Sequence, residues 1–205
     1  MSDLKILTYS TDLNNANFKL LSQRLNVIIL PELIPWSFDY YPKSFSVYET
    51  IKEYELDEII LVVDAYDVLP IENITNDAIF NKIQKSFNFD KITFNSEKNC
   101  YPNSLLSLKY PKVETSWKYL NAGIYVGKVE NILNMLEHSL PKIKGDMDQN
   151  IFSLLYISNE FNIEIDYNCK VFQTLYMLSK DDLVCENNRI VNNNGRFQRV
   201  VEANC

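Results

Sequence analysis

One continuous apolar segment constrains the fold of this chain more than any other feature. Residues 58–63 read EIILVV, and the run ends directly at Asp64. An uninterrupted run of aliphatic residues is typical of a strand that is covered on both faces, as in the centre of a parallel sheet. The segment therefore predicts an α/β fold, because helices on both sides of a sheet would cover such a strand.

Strands and helices are predicted to alternate along the rest of the chain. Short apolar runs predict further strands at 5–9, 26–30, 91–95, 119–127 and 163–166. Helical spacing of apolar residues predicts helices at 17–25, 45–54, 76–87, 130–138 and 148–158. The intervening loops are expected at 31–44, which is rich in proline, and at 97–117. For 205 residues this alternation predicts one α/β domain over 1–205 with a mainly parallel central sheet.

The charge balance narrows the class of ligand. The chain carries a formal net charge of −7 at pH 7, whereas a nucleic-acid-binding domain usually has a basic face. Nucleic acid is therefore not an expected partner, and an anionic substrate is disfavoured unless a metal ion supplies positive charge. The sequence shows no secretory leader and no apolar run long enough to span a bilayer, so we expect a soluble, intracellular protein.

Two carboxylates, Asp64 and Asp67, follow the buried strand directly. In open α/β sheets, ligands bind beyond the carboxyl ends of the strands, and carboxylate oxygens are preferred by hard divalent cations. A cation held by this pair would neutralise a diphosphate, and Tyr66 between them has a ring that can stack on a base. The alternative is purely structural, with Asp64 capping the next turn and Asp67 solvated.

The chain has only four glycines, and they lie in three further segments of unusual sequence. Gly123 and Gly127 lie in one predicted strand, Gly145 precedes a predicted helix, and Gly195 follows a run of asparagines. A ligand site uses glycine where the backbone must approach the ligand closely. The alternative is again structural, because acidic residues favour helix starts and an Asn-Gly pair favours a turn.

Taken in order, six motifs resemble the glycosyltransferase domain of procollagen lysyl hydroxylases. They are VVDAYDV (62–68), NSEKNCYPN (95–103), KYLNAGIYVG (118–127), DMDQ (146–149), IDYNCKVFQTL (165–175) and NNNG (192–195). The resemblance covers most of the chain, in matching order and with similar spacing. The chain has one histidine, so an iron site with two histidine ligands is not expected. We therefore expect a glycosyltransferase domain standing alone, without a hydroxylase domain.

The resemblance implies a GT-A-like, Rossmann-like fold and a UDP-sugar donor bound through Mn2+. On that basis, Asp64 and Asp67 are metal ligands. The family's third ligand is a histidine in a His-Gly-Asn-Gly turn, and Asn192 stands at that position here. An amide oxygen can coordinate Mn2+, although more weakly than imidazole does. Asn192 is accordingly the third expected metal ligand.

The resemblance also implies which residues contact the donor. Tyr66 would stack on uracil, Lys43 would contact a phosphate, and Tyr101 would act as a gate on a loop over the donor. The other donor-binding residues that it implies are Thr8, Gly123, Asn194 and Gly195.

Four residues are implied in catalysis, namely Asn121, Asp146, Asp148 and Gln149. Asn121 would hydrogen-bond the donor sugar, and the other three would hold sugar hydroxyls or support an oxocarbenium-like transition state. The implied reaction transfers glucose from UDP-glucose to galactosylhydroxylysine of a collagen-like protein, with retention at the anomeric carbon. The implied partners are thus a UDP-sugar donor and a collagen-like glycoprotein acceptor, while an oligomer is possible.

Two alternatives to this reaction stay open at the level of the sequence. One is a metal-dependent glycosyltransferase with another UDP-sugar or another acceptor, because a hydroxyl epimer is distinguished by only a few contacts. The other is a catalytically degenerate module that binds a nucleotide sugar and acts through a partner. Asn192 in place of histidine favours the degenerate module, whereas the intact Asp64, Asp67, Asp148 and Gln149 favour an enzyme.

Overall fold

The computed structural model describes the whole of 4–36, 40–70 and 75–177, and the backbone alone of 183–186, 189–192 and 200–202. The strands of this part are β1 (Lys5–Tyr9), β2 (Val27–Ile29), β3 (Ile59–Asp64), β4 (Val68–Pro70), β5 (Ile92–Glu97), β6 (Tyr119–Lys128), β7 (Ile163–Ile165), β8 (Phe172–Thr174), β9 (Leu183–Glu186), β10 (Arg189–Asn192) and β11 (Val200–Glu202). Its helices are α1 (Ala16–Arg24), α2 (Tyr41–Ile51), α3 (Asn76–Ser86), α4 (Val129–Ile143) and α5 (Asp148–Ser158), with a 3-10 helix at Ser104–Leu108.

A six-stranded sheet forms the centre of the fold, in the order β2-β1-β3-β6-β5-β7. β1 is parallel to β2 and β3, and β5 is parallel to β7, whereas β6 is antiparallel to both of its neighbours. Within this sheet only β6 therefore runs against the others, which confirms the predicted mainly parallel arrangement. Each residue of 59–63 in β3 is at most 5% exposed, as the continuous apolar segment predicts.

Helices cover both faces of this sheet. Val47 of α2, Leu136 of α4 and Phe152 of α5 belong to one buried cluster. Leu21 of α1 and Ile79 of α3 belong to a second buried cluster. Successive side chains of β3 enter the two clusters alternately, which explains why the strand is apolar at every position. No helix in the described ranges is long and apolar enough to cross a membrane.

Two helices include a proline that the prediction left outside them. α2 begins at Tyr41, inside the predicted loop, with Pro42 in its first turn. Proline is tolerated there, since the first backbone N–H groups of a helix have no partner within the helix. α4 continues beyond residue 138 through Pro141, and the buried side chain of Ile143 holds its last turn against the core.

The prediction also missed a second sheet, in the order β4-β11-β8. β11 is antiparallel to β4 and parallel to β8. Each strand has three residues, which is too short to produce a periodic pattern in the sequence. β11 thus lies between β4, which follows β3, and β8, which follows β7, and connects these two segments.

The buried carboxylate of Asp166 fixes the connection between β7 and β8. Its Oδ1 accepts a hydrogen bond from Lys170 N at 2.8 Å, and its Oδ2 accepts from Val171 N at 2.9 Å and from Phe172 N at 3.2 Å. Thr174 Oγ1 then donates to Ser96 O at 2.9 Å, which attaches β8 to β5. Strand β7 therefore ends at Ile165, one residue before the end of the predicted strand at 163–166, because the Asp166 side chain bonds the following turn.

Asp166→Asn is expected to destabilise the fold by about 2–4 kcal/mol, because it puts an amide N–H₂ against buried backbone donors. The free energy of unfolding from urea titration measures the effect. Asp90→Asn is the matched control, since the Asp90 side chain is 74% exposed and pairs with Lys128 at the surface. We expect a change of about 0–1 kcal/mol for the control. Equal losses in the two variants would contradict the assigned role of Asp166.

Candidate functional site

A cavity of about 390 Å³ opens beyond the carboxyl end of β3. Its volume lies in the range that proteins use for small ligands. Eight predicted site residues line it, namely Lys43, Asp64, Asp67, Tyr101, Asn121, Gly123, Asp148 and Gln149. The lining is completed by six residues that were not predicted, namely Tyr40, Glu97, Asn99, Ala122, Met147 and Tyr176.

The two carboxylates predicted to bind a metal both line this cavity. Asp64 is the last residue of β3, and Asp67 directly precedes β4, so the turn between the two strands presents both at one end of the sheet. Buried Ala65 and Val68 anchor this turn. Burial raises the pKa of the Asp67 carboxyl to about 7, and the nearby charge of Asp64 contributes in the same direction. A bound cation would offset both effects.

A change of register between β5 and β6 shapes the next part of the cavity. Phe94 pairs with Tyr125, but the following residue of β5 pairs with Asn121. The intervening residues of β6, 122–124, thus have no partner on β5, which is a bulge. Residues 121–123 line the cavity. The bulge therefore exposes backbone and a polar side chain of a central strand to a ligand.

Lys43 lies between two carboxylates at the base of the cavity. Its Nζ is 3.0 Å from Asp64 Oδ1 and 3.2 Å from Asp148 Oδ2, and it also donates to Ala122 O at 3.4 Å. The lysine is 4% exposed. Burial alone would lower the pKa of Lys43, but Asp148 and Asp64 together raise it well above its usual value. Lys43 is thus a permanent positive charge in contact with a predicted metal ligand.

Asp148 is the first residue of α5, as predicted. Its Oδ1 accepts a hydrogen bond from Gln149 N at 2.7 Å, and its Oδ2 faces Lys43. Burial raises the pKa of the Asp148 carboxyl, while the Lys43 charge opposes that shift. A carboxylate at a helix start is also favoured by the helix dipole. The side chain therefore has a structural role in the fold and lines the cavity as well.

Gln149 connects three segments of the cavity wall. Its Oε1 accepts a hydrogen bond from Ala122 N at 3.0 Å. Its Nε2 donates to Glu97 Oε1 at 2.7 Å and to Tyr101 O at 2.9 Å. Because both ends of the amide have protein partners, the geometry favours a positioning role for Gln149. Its predicted contact with sugar hydroxyls stays a prediction.

Glu97 is a cavity residue that the sequence analysis missed. It is the last residue of β5 and is 3% exposed. Burial raises the pKa of the Glu97 carboxyl to about 8, although hydrogen bonds from Gln149 and Asn121 oppose the shift. The strand was predicted to end at Asn95, two residues before its observed end. Glu97 was therefore not recognised as a carboxylate at the end of a buried strand, which is the pattern that identified Asp64.

Tyr40 is a second missed residue, and its backbone is unusual. It adopts φ 60° immediately before α2, in the left-handed region that non-glycine residues seldom occupy. Its ring packs edge-on against Trp36 at 5.2 Å and lies 5.6 Å from Lys43 Nζ. Such strain persists where the surroundings impose it, often at ligand sites. No sequence pattern predicts a left-handed backbone at Tyr40, because tyrosine does not favour that conformation.

Tyr66 is held firmly at a place that does not line the cavity. Its hydroxyl accepts hydrogen bonds from Thr11 N and Asp12 N, both at 2.7 Å, and lies 3.2 Å from Ser10 Oγ. These hydrogen bonds outweigh burial and lower the pKa of Tyr66. The side chain thus connects the segment after β3 to the segment after β1. Its predicted stacking on uracil stays a prediction.

Three other residues from the sequence analysis are not brought into the cavity lining. The carboxylate of Asp146 accepts from Met147 N at 2.7 Å and from Asn150 Nδ2 at 2.6 Å, which is the helix-start role considered as its alternative. Thr8 is fully buried within β1. Gly127 allows close packing instead, because a Cβ there would lie 3.4 Å from the backbone of Ile92.

The predicted residues near the C-terminus are only partly described. Asn192 is the last residue of β10, opposite Leu183 of β9. Its side chain, and the whole of Asn194 and Gly195, lie outside the described residues. Their predicted contacts with metal and nucleotide stay predictions.

The described donor set suits a hard cation in type and in charge. Within the described ranges no group of three histidine, cysteine or acidic side chains converges as a metal site. The cavity does hold the carboxylates of Asp64 and Asp67, whose oxygens are suitable ligands for Mn2+ or Mg2+. Further ligands would have to come from the diphosphate, from water or from Asn192. The residues present thus fit a metal that is bound together with its nucleotide.

Glu97→Gln is expected to flatten the pH dependence of stability. In wild type the folded state keeps the Glu97 proton up to about pH 8, whereas the unfolded chain releases it near 4.5. Between these values the folded state binds more protons, so stability falls as pH rises. The substitution removes this contribution, which is at most about 1.4 kcal/mol per pH unit.

Urea unfolding between pH 5 and pH 8.5 measures this effect. The stability of Glu97→Gln relative to wild type should increase steadily with pH over that range. Glu114→Gln is the matched control, because Glu114 is exposed on the surface, and it should keep the wild-type slope. An unchanged slope in Glu97→Gln would contradict the raised pKa of Glu97.

Known proteins from a giant virus and from a nematode are similar to parts of this chain. A protein of Acanthamoeba polyphaga mimivirus is 35% identical over 144 residues, which is 70% of this chain and 30% of that protein. A Caenorhabditis elegans protein, a multifunctional procollagen lysine hydroxylase and glycosyltransferase, is 30% identical over 129 residues, which is 61% of this chain and 17% of that protein. The chain thus corresponds to less than a third of the length of either relative.

A solved structure shares the fold. A glycosyltransferase involved in the glycosylation of the major capsid of PBCV-1 superposes with a TM-score of 0.56 at 10% identity, over 84% of each chain. The family model of the PLOD GT domain matches residues 46–204, which include most of the central sheet and every acidic residue of the cavity. The chain therefore belongs to the PLOD GT domain family and is a glycosyltransferase.

Proposed function

We propose that this glycosyltransferase transfers glucose from UDP-glucose to galactosylhydroxylysine of a collagen-like protein, with Mn2+ and with retention at the anomeric carbon. The observation that carries the proposal is the pair Asp64 and Asp67 at the carboxyl end of β3, in one cavity with Lys43. The family supports the choice of acceptor, because the nematode relative is named as a procollagen lysine hydroxylase and glycosyltransferase.

The charges of the cavity support a donor that arrives with a metal. One lysine, Lys43, lines it together with four acidic side chains, those of Asp64, Asp67, Glu97 and Asp148. Burial keeps Glu97 protonated below about pH 8, so a bare diphosphate would meet mainly the Asp64 and Asp67 carboxylates, which repel it, and the single positive charge of Lys43. A divalent cation held by the Asp64 and Asp67 carboxylates supplies positive charge that stabilises the UDP leaving group when bound. The acidic composition of the chain is therefore compatible with an anionic nucleotide.

The base of the nucleotide is proposed to stack on Tyr66. The backbone donors of Thr11 and Asp12 hold its hydroxyl, so the ring is fixed before a ligand arrives. Asn17 Nδ2 also donates to Tyr66 O at 2.7 Å, which fixes the backbone at the same residue. A platform that is already ordered loses little conformational entropy on binding. Tyr66 precedes Asp67 directly, which supports placing base and diphosphate side by side.

The proposed chemical step exchanges one bond for another at the anomeric carbon. The bond from that carbon to the β-phosphate oxygen breaks, and its electron pair leaves with UDP. The acceptor hydroxyl oxygen bonds to the same carbon and gives its proton to the departing phosphate oxygen. With nucleophile and leaving group on the same face, the configuration at the carbon is retained.

Residues of the chain are proposed to position and stabilise the reacting groups. The Lys43 ammonium, held by Asp148, lies within reach of a phosphate bound at Asp64 and would favour negative charge on the leaving group. Asn121 and Glu97 are joined by a hydrogen bond at the wall formed by the bulge and would orient sugar hydroxyls. Tyr101 is half exposed at the mouth and would limit access of water.

Asp64→Asn is expected to abolish Mn2+-dependent UDP release from UDP-glucose, because it removes one of two carboxylate ligands and half of the charge at the pair. UDP release with a panel of UDP-sugars and a galactosylhydroxylysine peptide measures the effect, and calorimetry with UDP and Mn2+ measures binding. Asp57→Asn is the matched control, since Asp57 is exposed on the surface, and it should behave as wild type.

The other outcomes of this experiment separate the alternatives. Preference for another UDP-sugar, or transfer only to another acceptor, would correct the donor or the acceptor and keep the enzyme. Tight binding of UDP with no release from any UDP-sugar would indicate the degenerate binding module. Release that Asp64→Asn leaves unchanged would overturn the metal assignment.

Tyr66→Ala is expected to weaken UDP binding about tenfold or more, because stacking of a base on an aromatic ring contributes roughly 1–3 kcal/mol. Tyr66→Phe keeps the ring and should retain most of that affinity, although it removes the hydroxyl held by Thr11 and Asp12. Calorimetric titration with UDP in the presence of Mn2+ measures both variants. Equal losses in the two would place the contribution in the hydroxyl and contradict stacking.

A further inference from the structure

We propose that the mouth of the cavity carries a docking ridge for a polypeptide acceptor with apolar and acidic side chains. The ridge consists of Tyr101, Leu105, Leu108 and Lys109. This inference rests on the proposed function, because it assigns the surface on which that function's acceptor lies. It adds that the chain around the acceptor hydroxyl is recognised outside the cavity.

The first observation is the exposure of the two ridge leucines. Leu108 is 88% exposed and Leu105 is 73% exposed, more than any other large hydrophobic side chain in the described ranges. Met177 and Tyr176, at 62% and 38%, add apolar surface in the segment that contributes Tyr176 to the cavity lining. Leu105 and Leu108 are three residues apart in a 3-10 helix and so lie on one face of it, and adjacent exposed apolar side chains mark an interaction site more often than scattered ones do.

The second observation is that the ridge is anchored, so its exposure does not come from a loose loop. Leu106, between the two exposed leucines, is buried in the main core cluster together with Tyr110. The Tyr110 hydroxyl accepts a hydrogen bond from Leu120 N at 3.3 Å, which attaches the segment to β6. Asn103 Oδ1 accepts from Leu105 N at 3.2 Å and fixes the start of the 3-10 helix. The leucines are thus presented outward by a structured element.

The third observation is continuity with the site. Tyr101 is 50% exposed and also lines the cavity, so it belongs to the ridge and to the site at once. Its carbonyl oxygen accepts from Gln149 Nε2, which also donates to Glu97 of β5, while Gln149 Oε1 accepts from Ala122 N of β6. Leu105 and Leu108 do not line the cavity. An acceptor that touches them therefore extends beyond the sugar that enters the cavity, which favours a polypeptide over a small sugar.

The fourth observation is the local sign of charge. Residues 98–118 contain four lysines and one glutamate, in a chain whose net charge is −7. Lys109 and Lys112 are exposed on this segment. Interfaces use such complementarity to steer and orient their partners. An acceptor with acidic side chains beside its apolar ones fits this ridge better than a basic one.

The test compares two double variants with a synthetic collagen-like peptide that carries galactosylhydroxylysine and acidic flanking residues. Leu105→Ser/Leu108→Ser removes the apolar part of the ridge. Leu13→Ser/Leu56→Ser is the matched control, because these leucines are also more than half exposed but do not belong to the ridge. Free galactosylhydroxylysine serves as an acceptor that cannot reach the ridge.

For the ridge variant we expect kcat/KM with the peptide to fall about tenfold, since the two leucine side chains that the bound peptide would partly cover are lost. Transfer to free galactosylhydroxylysine, and UDP affinity with Mn2+, should stay at the wild-type values. The control variant should match wild type throughout. Equal kcat/KM for the peptide in ridge variant and wild type would overturn the proposal.

Direct binding separates a failure of the ridge from a failure of the proposed reaction. Fluorescence anisotropy of the labelled peptide needs no turnover. Two results together support the ridge even if no sugar is transferred. The peptide binds wild type but not the ridge variant, and a peptide flanked by lysines binds wild type more weakly. No binding to wild type overturns it, and so does a variant that changes only the self-association of the chain in light scattering, which would indicate a contact between two copies.

Discussion

The buried ammonium of Lys43 is the interaction on which the site depends. It joins α2, which carries the lysine, to the end of β3 through Asp64 and to the start of α5 through Asp148. A charge that is 4% exposed is stable only when it is paired. The two ion pairs therefore connect helix α2 to the sheet and to α5, and the Lys43 charge opposes the burial that raises the pKa of Asp148. The same contacts place a positive charge beside the proposed phosphate position.

Lys43 does not neutralise two other acidic side chains of the cavity, Asp67 and Glu97. Burial and repulsion raise the pKa of Asp67 to about 7, and burial raises the pKa of Glu97 to about 8. Both shifts mean that the fold holds these carboxylates at a cost when they are ionised. A metal that arrives with the nucleotide would remove part of that cost at Asp67. The fold thus holds an electrostatic imbalance that a bound cation would relieve.

Much of this arrangement follows from the sequence, and the exceptions have physical causes. The apolar run of β3 and the start of α5 at Asp148 were predicted correctly, because burial on both faces and helix starts leave local signals. The bulge at residues 122–124 leaves none, since it depends on which residue of β5 pairs with Asn121. Glu97 was missed for the same reason, because a strand end is set by pairing. Lys43 was identified only by family resemblance, as a lysine among prolines has no periodic pattern.

The net charge of −7 first argued against an anionic substrate, and the structure shows why a total charge is a weak guide. At physiological salt, charges more than about 8 Å apart are largely screened at the surface. A diphosphate in the cavity would therefore respond mainly to Asp64, Asp67 and Lys43, and an acceptor on the proposed ridge would respond mainly to Lys109 and Lys112. Because these two places differ in sign, each can select a ligand of its own. The charge around each site therefore predicts its ligand better than the net charge of the chain does.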